Sequence, residues 1–104
     1  MAYPNQIAKS VEDSANSIEL KTLDPRPIEL IKPIVAGVDL DHGCHIASFS
    51  EANISGSGES QADAIEMLKD VIASTYRLLT EKESILGTEP ARQLSILRKF
   101  VRAK

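Results

Sequence analysis

The feature that most constrains this chain is the apolar rhythm of residues 61–80, "QADAIEMLKDVIASTYRLLT". At about 100° per residue, Ala64, Ile65, Met67, Leu68, Val71, Ile72, Tyr76, Leu78 and Leu79 fall in one half of a helical wheel. Asp63, Glu66, Lys69, Asp70, Ser74, Arg77 and Glu81 fill the other half. This predicts a long amphipathic helix with a wide buried face, which needs a sheet or another helix to cover it. Ser60 is placed to cap its start. Asp63, three residues on, makes a capping box with Asp in the usual Glu or Gln position.

The partner surface lies upstream. "IVAGVDL" (34–40) and "CHIASFS" (44–50) read as two strands joined by the Asp-His-Gly turn 41–43, hence a hairpin. "ANISGSG" (52–58) reads as a third strand ending in glycines. Gly37 suggests a bulge or a close backbone approach. Gly56 and Gly58 are read as turn residues that let the chain swing over the sheet, with Glu59, Ser60 and Asp63 closing the helix start.

Upstream again, "DPRPIELIKP" holds three prolines in ten residues and reads as a linker or sheet edge. The compact domain is therefore expected to begin near Pro27, behind a partly ordered extension of residues 1–26. Within that extension Ile7, Val11 and Ile18 suggest a short helix near 5–17, and "SIELKTL" alternates like a strand. Downstream, Gly87 marks a break, and Thr88 is expected to cap a helix over 88–102. That helix would bury Leu94, Ile96, Leu97, Phe100 and Val101 and present Arg92, Arg98, Lys99 and Arg102 as a basic arc.

The fold expected is α+β in one domain: a three-stranded antiparallel sheet with room for a fourth strand, one long helix on it, and a C-terminal helix. Length and composition agree, with 104 residues, 42% hydrophobic and 26% charged. Four aromatics mean an aliphatic core and argue against a base-stacking platform. A net charge of −3 argues against general nucleic-acid binding. The lone Cys44 excludes an intramolecular disulfide and suits a reducing cytoplasm. No signal peptide or membrane span is expected.

Four constellations bear on chemistry. "GSGES" before a helix resembles a phosphate cradle, but it lacks a third glycine and the Gly-Lys-Ser/Thr signature. Glu59 and Asp63 at the helix start would also repel a phosphate. His42, Cys44 and His45 are metal-ligand types in four residues, yet strand alternation separates Cys44 from His45. The same residues hold a thiol and a base, the first parts of a nucleophilic site. Asp39, Asp41, Glu51, Glu59 and Asp63 border the sheet as potential Mg²⁺ ligands. Turn and cap roles already account for Asp41, Glu59 and Asp63. No catalytic group and no cofactor is assigned. The basic arc is either a solvated face or a contact for an acidic partner or nucleic acid. A DNA-reading unit would need a second element that residues 88–104 do not supply.

The stretch "PIVAGVDLDHGCHIASFSEANISGSGESQADAIEMLKDVI" resembles the HicB-like antitoxin domain over roughly residues 33–80. The family's "G-D-T-x-E-E-A" helix opening corresponds to Gly58-Glu59-Ser60-Gln61-Ala62-Asp63-Ala64. Glu59 stands for Asp and Ser60 for Thr, while Ala62 departs from Glu. The resemblance implies a degenerate ribonuclease-H-like fold without catalytic residues. It also implies neutralisation of a small ribonuclease toxin of HicA type, and oligomerisation. A stand-alone member without a toxin is the variant of this reading. The alternatives are a nucleic-acid-binding regulator using the basic arc and a metal-binding oligomer or enzyme using His42, Cys44 and His45. Exposed sheet edges independently favour a dimer or larger homo-oligomer.

Overall fold

A computed structural model describes residues 17–104 of the protein. The expected helix near 5–17 lies, but for its last residue, outside them. The described elements are β1 (Ser17–Leu20), β2 (Ile28–Leu30), β3 (Ile34–Asp41), β4 (Cys44–Phe49), β5 (Ile54–Gly58), α1 (Gln61–Glu81), α2 (Thr88–Leu97) and β6 (Val101–Ala103). Short 3₁₀ turns at Ser50–Ala52 and Glu83–Ile85 connect them.

The main sheet is antiparallel with strand order β1-β3-β4-β5. The expected three strands are present, and β1 is the fourth. The register is regular: Ile18 faces Ala36, Val38 faces Ala47, and Ala47 faces Gly56. No bulge forms at Gly37, and nothing lies within 4 Å of a Cβ added there. The close approach expected at Gly37 occurs instead at Gly56 and Gly58.

Strand alternation sends Leu20, Ile34, Ala36, Ala47, Phe49 and Ile54 to one face, where all are buried. Helix α1 packs on β5 and β4 and covers this face with Ala64, Leu68, Ile72 and Leu79. Ile65, Val71 and Tyr76 pack at the margin of the core. Met67 and Leu78 belong to the same apolar half-wheel but stay about half exposed, at 46% and 50%.

Two boundaries differ from the sequence reading. Residues 17–26 belong to the domain rather than to an extension. Leu20 pairs with Ile34, and Leu23 is buried at 1% exposure. The second difference is at the C-terminus, where α2 ends at Leu97 and not at 102. Tight backbone bonds from Lys99 to Ile96 and from Phe100 to Leu97 turn the chain, and Val101–Ala103 then pairs with Leu30–Ile28. Apolar residues at 94, 97 and 101 fit a helix, but they equally fit a helix that stops and a strand that follows. Thr88 does not cap α2. Gly87 holds the cap position without a side-chain bond, and Thr88 is the first helical residue.

At this end of the molecule Phe49 meets Phe100 edge-on, with centroids 5.0 Å apart. Leu94, Leu97 and Val101 complete the core there. The C-terminal helix thus packs on the core of its own chain.

Arg26 ties the β1–β2 connection to α1. Its Nε donates to Asp70 Oδ1 at 2.8 Å and its Nη2 to Glu66 Oε1 at 3.0 Å, with the guanidinium largely buried. Burial acts to lower the Arg26 pKa, but the bonds to Glu66 and Asp70 outweigh it and raise it. The Arg26 hydrogen bond holds the Glu66 carboxyl below its ordinary value. A lowered folded pKa adds stability above the unfolded value, near 4.3, and loses it as pH falls through the folded one. The Tm gap between wild type and Arg26→Met is therefore expected to be full at neutral pH and to narrow below about pH 4. Thermal melts from pH 7 to pH 2.5 check this, and a gap that widens in acid contradicts it.

Candidate functional site

The Gly/Ser stretch before α1 is strand, not turn. Gly56 and Gly58 lie within β5, opposite Ala47 and His45. A Cβ on Gly56 would sit 2.4 Å from the Leu68 backbone nitrogen, and one on Gly58 2.6 Å from the Asp63 Cβ. The turn role expected of them is replaced by a packing role: only glycine lets α1 lie this close to β5. Ser60 does cap the helix, its Oγ accepting from the Asp63 amide at 3.1 Å. Glu59 and Asp63 remain exposed beside it.

The His/Cys constellation is dispersed. His42 stands in the turn with φ 53°, and its Nδ1 lies 2.7 Å from Asp41 Oδ1. Cys44 faces Asp41 across the hairpin, on the sheet face away from α1. His45 points the other way, toward Gly58 and the start of α1. Its buried Nδ1 has no hydrogen-bond partner among the described residues. Among the described residues no group of three His, Cys, Asp or Glu side chains could hold a metal. The five carboxylates divide likewise. Asp39 and Asp41 lie at one end of the outer sheet face, Glu51 at the far end of β5, and Glu59 and Asp63 at the start of α1.

The basic arc is not a helix face. Arg92 pairs with Glu89 on α2 at 3.5 Å. Arg98 lies just past the helix and forms a fork with Glu83, both contacts at 2.8 Å. The Arg98 hydrogen bond lowers the Glu83 pKa, and that to Glu83 raises the Arg98 pKa. Lys99 lies in the turn, and Arg102 projects from β6 to Glu29. A cation already matched to a carboxylate contributes less to a phosphate surface.

A cleft of about 620 Å³ runs between α1 and the β2–β6 pair, with Arg26, Ile28, Tyr76, Arg77 and Ala103 among its lining residues. None of the sequence-predicted site residues lines it, and Arg26 is committed to Glu66 and Asp70 there.

The surface that sequence did not single out is the outer face of the main sheet. In-register rows place Glu19 beside Val35, then Ser17, Gly37, Ser48 and Ser55. Asp39, Ile46 and Ser57 follow, with Asp41 beside Cys44. Among the described residues no element covers this face, and Val35 is 63% exposed on it. The face is flat, lightly apolar and edged by carboxylates. It was legible in principle: the residues alternating with the buried ones in 34–49 are small or acidic except Val35 and Ile46.

No helix of the described residues is long and apolar enough to cross a membrane. Compared with known proteins, the chain matches no family model, and no curated protein or solved structure is detectably similar to it.

Proposed function

We propose that the chain is a non-enzymatic protein-binding module of the HicB antitoxin kind. Its partner in this reading is a small ribonuclease toxin of HicA type, received on the outer sheet face. The observation that carries the reading is that face itself, uncovered among the described residues and bearing Glu19, Asp39 and Asp41, with Lys21 3.8 Å from Glu19 and His42 2.7 Å from Asp41. A protein that cleaves RNA needs a basic surface to hold its substrate. An acidic, shallow sheet face is complementary to such a surface and would compete with RNA for it. The strand order leading into a capped helix, on which the family resemblance rests, supports the same reading. The nucleic-acid alternative loses its main support, because Arg92, Arg98 and Arg102 each face a carboxylate of the same chain.

Titration calorimetry of the full chain against any small basic ribonuclease encoded beside its gene tests the proposal. Changing Glu19, Asp39 and Asp41 together to lysine is expected to weaken binding by about tenfold or more. These side chains lie outside the core, so circular dichroism should be unchanged. Affinity should also fall with added salt. Affinity indifferent to the triple charge reversal would sink the assignment of this face.

A further inference from the structure

Strand β5 is an edge of the main sheet, bonded on one side to β4 and to no second strand among the described residues. Natural edges are usually guarded by lysine, proline, a bulge or a covering element. Residues Ile54–Gly58 contain no charge and no proline, and their register with β4 is unbroken. An apolar stripe runs along the same border. Ala64, Leu68 and Ile72 point from α1 into the core. Met67 and Leu78 lie roughly 80–100° around the helix from that direction. The opposite flank of α1 faces the cleft beneath Arg26 and Ile28. Met67 and Leu78 therefore face outward past β5, with Val71 between them.

We infer that β5 pairs antiparallel with β5 of a second copy, giving a two-fold dimer with one continuous sheet of eight strands. The dimensions carry this choice of occupant. α1 packs on both β4 and β5, most closely on the glycines of β5, so its axis lies up to about half a strand spacing inside the edge. Two copies joined at β5 then hold their α1 axes up to two spacings apart, roughly 9.6 Å at about 4.8 Å per spacing. Packed helices in proteins lie 8–10 Å apart. The helices thus come within contact distance of one another, and the glycines of β5 hold both at the same low height over the sheet.

The register follows from the same geometry. The Leu68 and Met67 backbone lies over Gly56. A two-fold axis at Gly56 brings Met67 against Met67 of the second copy. Ile54 then faces Gly58, and Glu59 faces Asn53, so the two Glu59 carboxylates stay apart. Arg92 is the cation of the cleft beside Asn53, which Glu51 and Glu89 also line. An arbitrary partner protein would have to match both a strand edge and a helix at this spacing; a second copy does so by symmetry.

Sedimentation equilibrium of the full chain over a concentration series tests the dimer. The wild type is expected at twice its 11.3 kDa chain mass. Met67→Lys should be monomeric with an unchanged circular dichroism spectrum, because Met67 lies outside the core. Met67→Leu should remain dimeric. In a Cys44→Ser background, Met67→Cys should form an intermolecular disulfide on mild oxidation, whereas Ile85→Cys, distant in sequence and 76% exposed, should not. A wild type monomeric up to millimolar concentration overturns the inference. So does a folded Met67→Lys variant that stays dimeric, or equal cross-linking at positions 67 and 85. The outer sheet face is a separate surface, so Met67→Lys should still bind the basic partner, and failure of one idea leaves the other standing.

Discussion

Gly56→Ala is expected to destabilise the protein by about 3 kcal/mol or more, the upper end of the cost of overpacking a core. For a domain of this size that corresponds to a fall in Tm of roughly 12–24 °C. The added methyl would meet the Leu68 nitrogen at 2.4 Å and the Leu68 Cα and Met67 carbonyl carbon at 2.8 Å. All three atoms are helix backbone, so no side chain can rotate away. Relief requires α1 to lift off β5, and this separates Leu68 and Ile72 from Ala47 and Phe49 beneath. Gly37→Ala is the matched control. Its site is open, and its backbone lies outside the left-handed region. That change should stay within about 1 kcal/mol of wild type and could stabilise through the unfolded chain. Urea melts of both variants measure the difference. Equal stabilities would mean that the helix–strand approach does not require glycine at position 56.

Leu23→Ala should cost about 2–5 kcal/mol, the range for a buried leucine cut back in a packed core. Leu23 lies between β1 and β2, at the end of "SIELKTL" and within the residues 1–26 expected to form a partly ordered extension. It is 1% exposed, and its carbonyl accepts from the Arg26 amide at 3.0 Å. The nearby Ile31→Ala, at a residue 53% exposed, should cost about 0.5 kcal/mol or less. A Leu23 variant as stable as wild type would return residues 17–26 to the status of a loose extension.

The long helix, the hairpin and the third strand were legible because their signals are local and redundant. Period 3.6 over twenty residues admits one structure. Period 2 in 34–49, broken by Asp-His-Gly, admits a hairpin. What sequence left open depends on contacts across the chain. The strand character of Val101–Ala103 depends on Leu30 and Ile28, some seventy residues away. The burial of Leu23 depends on α1 holding Arg26 through Glu66 and Asp70. The glycines of β5 illustrate the limit well. Their abundance was plain, but a turn and a close packing contact use the same residue, and only the position of α1 decides between them. The basic arc failed for a related reason. A helical wheel assumes that the helix continues, and here it stops before Lys99 and Arg102.

The candidate surface was less legible than the fold. The residues with the most chemistry, His42, Cys44 and His45, point in different directions. The residues that compose the outer face are mostly serines, a glycine and carboxylates, with Val35, Cys44 and Ile46 among them, and they form one surface only once the strands are in register. Oligomerisation is an expectation the sequence itself raises, since a short sheet covered on one side exposes an edge. The proposed choice of edge rests on the placement of α1 over β5.

The most direct test of the central claim is an RNA-cleavage assay with any small basic ribonuclease of HicA type encoded beside this chain's gene, and a gene with no such neighbour counts against the claim. The full wild-type chain is expected to stop cleavage at one binding site per toxin, and the Glu19, Asp39 and Asp41 to lysine variant should fail to do so at the same concentration. Cleavage that continues unchanged in the presence of excess wild-type chain would contradict an antitoxin-like role.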